Sequence, residues 1–138
     1  VGNKEMIQAL SVVKSNTDTS QFLPIQKAAA HALASDQKCV EGNISIYKDR
    51  MKEVIDALAA AGFDIDPPRG SFFIWTEVPA GYTSGEFAET LLEETGVVIT
   101  PGSAFGPSGE GFFRISLSVP TERLREAVNR IRNHITER

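Results

Sequence analysis

Arg114 is the residue of this 138-residue chain best suited to chemistry. It lies in Gly111-Phe112-Phe113-Arg114-Ile115-Ser116-Leu117-Ser118-Val119-Pro120, where Phe113, Ile115, Leu117 and Val119 alternate with Phe112, Arg114, Ser116 and Ser118. A period of two belongs to a strand with one face on a core and the other toward a polar space. An arginine in mid-strand among large apolar residues does not leave its charge buried without a partner. Its planar fork of donors suits a carboxylate, held by two parallel hydrogen bonds. An ordinary ion pair, or a guanidinium snorkelling to the rim of the sheet, explains the same pattern, and on this strand alone such structural roles are the commoner ones. Ser116 and Ser118 share the face of Arg114 and read equally well as solvated polar residues.

The other chemically capable residues are isolated. His31 and His134 each fall on an expected helix with no second His or Cys at ligand spacing, which argues against a metal site. Cys39 is the only cysteine, so the chain has no internal disulfide, as fits a reducing, cytoplasmic setting. No G-x-G-x-x-G, phosphate loop or Ser-His-Asp arrangement is present, and the glycine-rich 102–111 stretch lacks the following helix of an anion cradle. A net charge of -4 and a pI near 5.2 exclude a strongly basic nucleic-acid surface. The apolar stretches are too short to span a bilayer, and the first residues have no basic segment followed by an apolar one. With 41% hydrophobic and 23% charged residues, the composition is that of one domain with a real core.

The elements that must position Arg114 follow from capping and periodicity. Asn3 caps a helix carrying Met6, Ile7, Leu10 and Val13, with Lys14 near its C-terminal end, and residues 15–20 read as a polar loop. Pro24 opens a second helix with Ile25, Ala28, Ala29, Ala32 and Leu33 on one face. After a break over 36–41, a longer helix starts near Asn43, carries Tyr47, Met51, Val54, Ile55 and Leu58, and ends at Gly62. Phe63-Asp64-Ile65-Asp66 is a short extended piece at a sheet edge or in a turn. Phe72 to Val78 reads as a strand. Thr83 and Glu86 form a capping box before a helix bearing Phe87, Ala88, Leu91 and Leu92, closed by Gly96. Val97-Val98-Ile99-Thr100 is a buried strand, and Thr121 caps a last helix with Leu124, Val128, Ile131 and Ile135 in one stripe. The order predicts an α+β domain: a small mixed or antiparallel sheet of three to four strands, covered by helices on one face. A helical lead-in spans 1–42, which packs outside that module or joins it to something else.

Several segments, in order and at familiar spacing, resemble a known family. They are Pro68-Arg69-Gly70-Ser71-Phe72-Phe73-Ile74-Trp75, then Gly96-Val97-Val98-Ile99-Thr100-Pro101-Gly102-Ser103-Ala104-Phe105-Gly106, then Gly109-Glu110-Gly111-Phe112-Phe113-Arg114-Ile115-Ser116-Leu117. Together they resemble the C-terminal small domain of a fold-type I, pyridoxal-phosphate-dependent aminotransferase. Gly2-Asn3, Ser15-Asn16-Thr17-Asp18 and Gln26-Lys27-Ala28-Ala29 resemble its helical segment after the cofactor lysine, so the likeness covers residues 1–138. The wording around Gly81-Tyr82-Thr83 and Pro101-Gly102 is nearest to LL-diaminopimelate aminotransferases and their relatives.

The resemblance implies that Arg114 binds the α-carboxylate of an amino-acid substrate, in an enzyme moving an amino group between an amino acid and a 2-oxo acid. Phe72 and Phe73 are read as core residues, with reach toward the substrate as the alternative. Ser20 stands where relatives often have Gly and carries no function. Such enzymes place the Schiff-base lysine, a phosphate-binding arginine and the acid that pairs with the pyridine nitrogen upstream of this segment. Lys4, Lys14, Lys27, Lys38, Lys48 and Lys52 match no such motif and read as solvated charges. The resemblance therefore implies a fragment without its large cofactor-binding domain, inactive and without bound pyridoxal phosphate on its own, from a homodimeric enzyme. The first residue, Val1, fits this, and so do processing and tag removal. A stand-alone binding or regulatory module on the same fold, and the small domain of a fold-type I lyase or decarboxylase, are the other readings.

Overall fold

A computed structural model describes residues 2–136, so Val1 lies outside the described residues. The chain divides into two compact units, residues 1–40 and 41–138. In the first, α1 (Lys4–Thr17) is capped by Asn3, whose side chain accepts from the backbone N–H groups of Glu5 and Met6. The expected polar loop begins later than the sequence suggests. Ser15, Asn16 and Thr17 stay helical because their side chains donate to the carbonyls of Ser11, Val12 and Val13 four residues back. Helix α2 (Leu23–Ala34) has proline in its first turn, and neither α1 nor α2 buries a single residue. Helix α3 (Lys38–Ala59) starts five residues before the expected Asn43. Asp36 Oδ1 accepts from the Lys38 N–H at 3.2 Å, and Gln37 turns the chain with φ of 61°.

The second unit is an α+β layer pair. Three strands, β1 (Phe73–Glu77), β2 (Thr100–Pro101) and β3 (Phe112–Ser116), form an antiparallel sheet in the order β1-β3-β2. Helices α3, α4 (Ser84–Thr95) and α5 (Thr121–Thr136) pack on one face. Their stripes, Val54 and Leu58, Phe87 and Leu91, and Leu124, Val128 and Ile131, close over Ile74, Phe113, Ile115 and Leu117. Phe113 is fully buried at the centre, with its ring 5.1 Å from Phe87 and 5.7 Å from Phe63. Arg50 ties α3 to the end of the sheet: Nη1 donates to the Leu117 carbonyl at 2.9 Å and Nε to the Thr121 hydroxyl at 3.1 Å. That hydroxyl is therefore taken by Arg50, and Thr121 begins α5 rather than capping it. Arg125 also pairs with Glu53, and Arg130 donates to the Thr95 carbonyl at the end of α4.

Two further sequence expectations change, at residues 97–100 and at Val119. The strand foreseen over 97–100 shrinks to Thr100 and Pro101. Gly96 caps α4 in the left-handed region, and the Val97 N–H turns back to the Leu91 carbonyl and Thr95 hydroxyl, which leaves Val98 79% exposed. Residues 63–66 follow a turn, one of the two places expected for them: Gly62, at φ of 91°, turns the Phe63 N–H back onto the Leu58 carbonyl. Val119 leaves the core because β3 stops at Ser116. Among the described residues no helix is long and apolar enough to cross a membrane.

Phe113→Ala should destabilise the chain by about 3–5 kcal/mol, the usual loss for a buried phenylalanine. Urea unfolding measures it, and a loss below about 1 kcal/mol would contradict the placement of Phe113 at the centre of the core.

Candidate functional site

Because β3 is the central strand, Arg114 has a neighbour on each side, Trp75 on β1 and Thr100 on β2. Directly opposed residues of antiparallel strands share a face, so Arg114 stands with Trp75 on the face away from the helices. Phe73, Phe112 and Ser116 lie on that same face by alternation. The Arg114 guanidinium carbon sits 4.1 Å from the Phe73 ring centroid and 4.5 Å from that of Phe105. Trp75 stacks on Phe112 at 5.7 Å and meets Phe105 edge-on at 5.6 Å. Among the described residues no carboxylate pairs with Arg114, and its Nε is buried without a hydrogen-bond partner. A buried donor left unmet costs about 1–3 kcal/mol, so this position favours an acceptor. Among the described residues the other buried side-chain atom without a partner is Thr76 Oγ1.

Phe105 reaches Arg114 because the glycine-rich loop is folded, not slack. Two 3₁₀ turns, Gly102–Phe105 and Pro107–Gly109, bring the backbones of Gly102 and Gly109 together. A Cβ on Gly102 would stand 2.0 Å from the Gly109 carbonyl oxygen, and one on Gly109 would stand 2.1 Å from that of Gly102, so no other residue fits either position. The loop is keyed to the start of α4. Glu110 accepts from the Ser84 N–H at 2.7 Å, the Ser84 hydroxyl at 2.9 Å and the Gly111 N–H at 3.0 Å. Ser84, fully buried, also bonds the Ser103 hydroxyl at 2.9 Å. Those donors, the Ser84 N–H first, hold the Glu110 carboxyl below its usual range. Glu86, bonded to the Thr83 N–H and hydroxyl in the expected capping box, is lowered in the same way.

The structure thus gathers Arg114 with residues the sequence did not single out. Phe105, Trp75 and Glu110 fall outside any helical or strand stripe that marks a core. The hint available was an aromatic residue inside a Gly/Pro-rich loop. Phe72 and Phe73 do not join the core. Phe73 is half-buried against Arg114, and Phe72, 42% exposed, lies 5.7 Å from Tyr47. Ser116 and Ser118 bond each other at 2.9 Å. Cys39 is exposed, and no cluster of three or more His, Cys, Asp or Glu among the described residues could hold a metal. The lysines all stand on helices, where Lys14, Lys38 and Lys52 pair with Asp18, Asp36 and Asp56. A separate groove of about 720 Å³ between α3 and residues 67–72 is lined mainly by apolar side chains, among them Tyr47, Met51 and Phe72, and does not include Arg114.

The chain has counterparts among known proteins. The family model for aminotransferase class I and II matches residues 1–131. The LL-diaminopimelate aminotransferase of Aquifex aeolicus is 47% identical over 133 residues, which are 96% of this chain and 34% of that protein. An aminotransferase from Staphylococcus aureus superposes with a TM-score of 0.91 at 33% identity, over 99% of this chain and 36% of the other. Substrate-bound BacF from Bacillus subtilis gives a TM-score of 0.87 at 36% identity, over 97% of this chain and 35% of the other. The chain spans about a third of the length of the curated relatives it matches.

The lowered Glu110 sets a pH dependence. A carboxyl that is more acidic when folded stabilises fully above its ordinary value of 4.5, and that contribution disappears as pH falls through the lowered folded value. Glu110→Gln should therefore melt several degrees below the parent at neutral pH. The gap should close in acid, below the lowered folded value, where the parent loses the same charge. Thermal melts at both pH values check this, and equal melting temperatures at neutral pH would contradict it.

Proposed function

The chain belongs to the aminotransferase class I and II family, and from that premise we propose that it is the C-terminal, substrate-carboxylate-binding domain of a pyridoxal-phosphate-dependent aminotransferase. The observation that carries the reading is Arg114: a strand-held guanidinium on an open sheet face, with no acid among the described residues paired to it and a buried donor unmet. A free, rigidly held fork of this kind accepts a planar carboxylate by two parallel charge-assisted bonds. Fixing the carboxylate fixes the α-carbon and its amino group, so that binding energy is converted into orientation of the reacting centre.

The residues of this chain do not fit a cofactor site. No lysine stands on the sheet, whereas Lys48 and Lys52 lie on α3 and Lys52 is paired with Asp56. Pyridoxal phosphate, when bound to the longer polypeptide, supplies the electron sink for amino-group transfer. The present chain supplies carboxylate recognition. Likeness to LL-diaminopimelate aminotransferases at 42–47% identity supports a related amino-acid substrate that exchanges its amino group with a 2-oxo acid.

We also assign the lead-in, residues 1–42, to packing against the remainder of that polypeptide or a second subunit of a homodimer. Met6, Leu10, Phe22 and Leu33 are 72, 62, 69 and 85% exposed, which is apolar surface that favours association.

In the longer enzyme, Arg114→Ala should raise the Michaelis constant for amino acids by about a hundredfold or more, the usual loss for truncating a buried charged partner. Unchanged steady-state kinetics would sink the assignment. The 138-residue chain alone should sediment as a dimer or larger species at micromolar concentration, and a clean monomer would count against the assigned role of its lead-in helices.

A further inference from the structure

We propose that Phe73 and Phe105 are positioning residues, an aromatic clamp that fixes the plane of the Arg114 guanidinium so that its edge is presented to the carboxylate. This rests on the reading of Arg114 as the carboxylate ligand. Guanidinium is flat: it donates hydrogen bonds within its plane and stacks through its faces. The central carbon of the Arg114 guanidinium lies over both phenylalanine rings, 4.1 and 4.5 Å from their centroids, and the clamp has it stack on them through its faces. Aromatic rings accept no strong hydrogen bond from the in-plane donors, so face stacking uses none of the fork that a carboxylate needs. An acidic neighbour would hold the charge equally well, but it would occupy that fork. The clamp therefore gives Arg114 a defined orientation without a competing ligand.

Phe105 is the telling member. It is 52% exposed, too open to be explained by core burial, yet it is held in place on three counts. The Gly102–Gly109 contact closes its loop, Ser84 and Glu110 tie the loop to α4, and the edge of Trp75 lies 5.6 Å from its ring. That much structure around an exposed ring has little to gain in stability and much to gain in the placement of Arg114. Phe73 is fixed differently, within β1 itself, where its register partner is Ser116. One ring thus comes from the sheet and the other from the loop.

The test uses the full-length enzyme with Phe105→Leu and Phe105→Tyr, alongside Arg114→Ala. Leucine keeps the apolar bulk and removes the ring face, whereas tyrosine keeps the face. Phe105→Leu should raise the Michaelis constant for the amino donor, and the inhibition constant of propionate as a plain carboxylate probe, by roughly five- to thirtyfold. Its kcat at saturation and its melting temperature should stay near those of the parent, and Phe105→Tyr should restore both constants. Parental constants in Phe105→Leu together with a large rise in Arg114→Ala would overturn the clamp and leave the carboxylate reading intact. Parental constants in Arg114→Ala would overturn both. A fall in kcat or melting temperature without a change in the propionate constant would mark Phe105 as merely structural and overturn the clamp.

Discussion

The two-residue period of β3 is the constraint on which the domain depends. Phe113, Ile115 and Leu117 must face the helices, because together with Ile74 they fill the centre of the core. Once they do, Arg114 has no choice but to face outward. A slip of one residue in the pairing with β1 would bury the guanidinium and expose Phe113, which is prohibitive on both counts. The core and the site are thus opposite faces of five residues. The aromatic rows on β1 and β3 then surround the charge on the outer face without neutralising it.

The rest of the unit secures that strand from its flanks. Arg50 holds the Leu117 carbonyl from α3 and Arg130 holds the end of α4 from α5. The close contact of Gly102 with Gly109 and the Glu110–Ser84 bonds fold the segment before β3 into a compact arch. The chain belongs to the aminotransferase class I and II family and spans about a third of the length of the curated relatives it matches.

Much of this was legible in the sequence, for physical reasons that differ by element. β3, the Thr83–Glu86 capping box, the left-handed Gly96 and the stripe of α5 are written in local chemistry: alternation, side-chain capping, freedom at positive φ, and a period near 3.6. The start of α3 was missed because an aspartate cap two residues before the helix and a left-handed Gln37 leave no hydrophobic trace. The strand expected at 97–100 failed because its apolar run suggested pairing, whereas the helix end claimed the Val97 donor. Arg114 itself was readable, but its surroundings were not. Phe105 and Glu110 meet it or its loop through contacts set by tertiary folding, and Phe73 passed for a core residue because strand alternation alone does not say which side is covered.

The most direct test of the account is a crystal structure of the longer enzyme with a bound amino acid or non-reacting carboxylate analogue. The account predicts that the ligand carboxylate lies in the plane of the Arg114 guanidinium and accepts two N–H bonds at about 2.7–2.9 Å, with Phe73 and Phe105 still against its faces. A carboxylate bound elsewhere, with Arg114 paired to an acid of the protein, would contradict it.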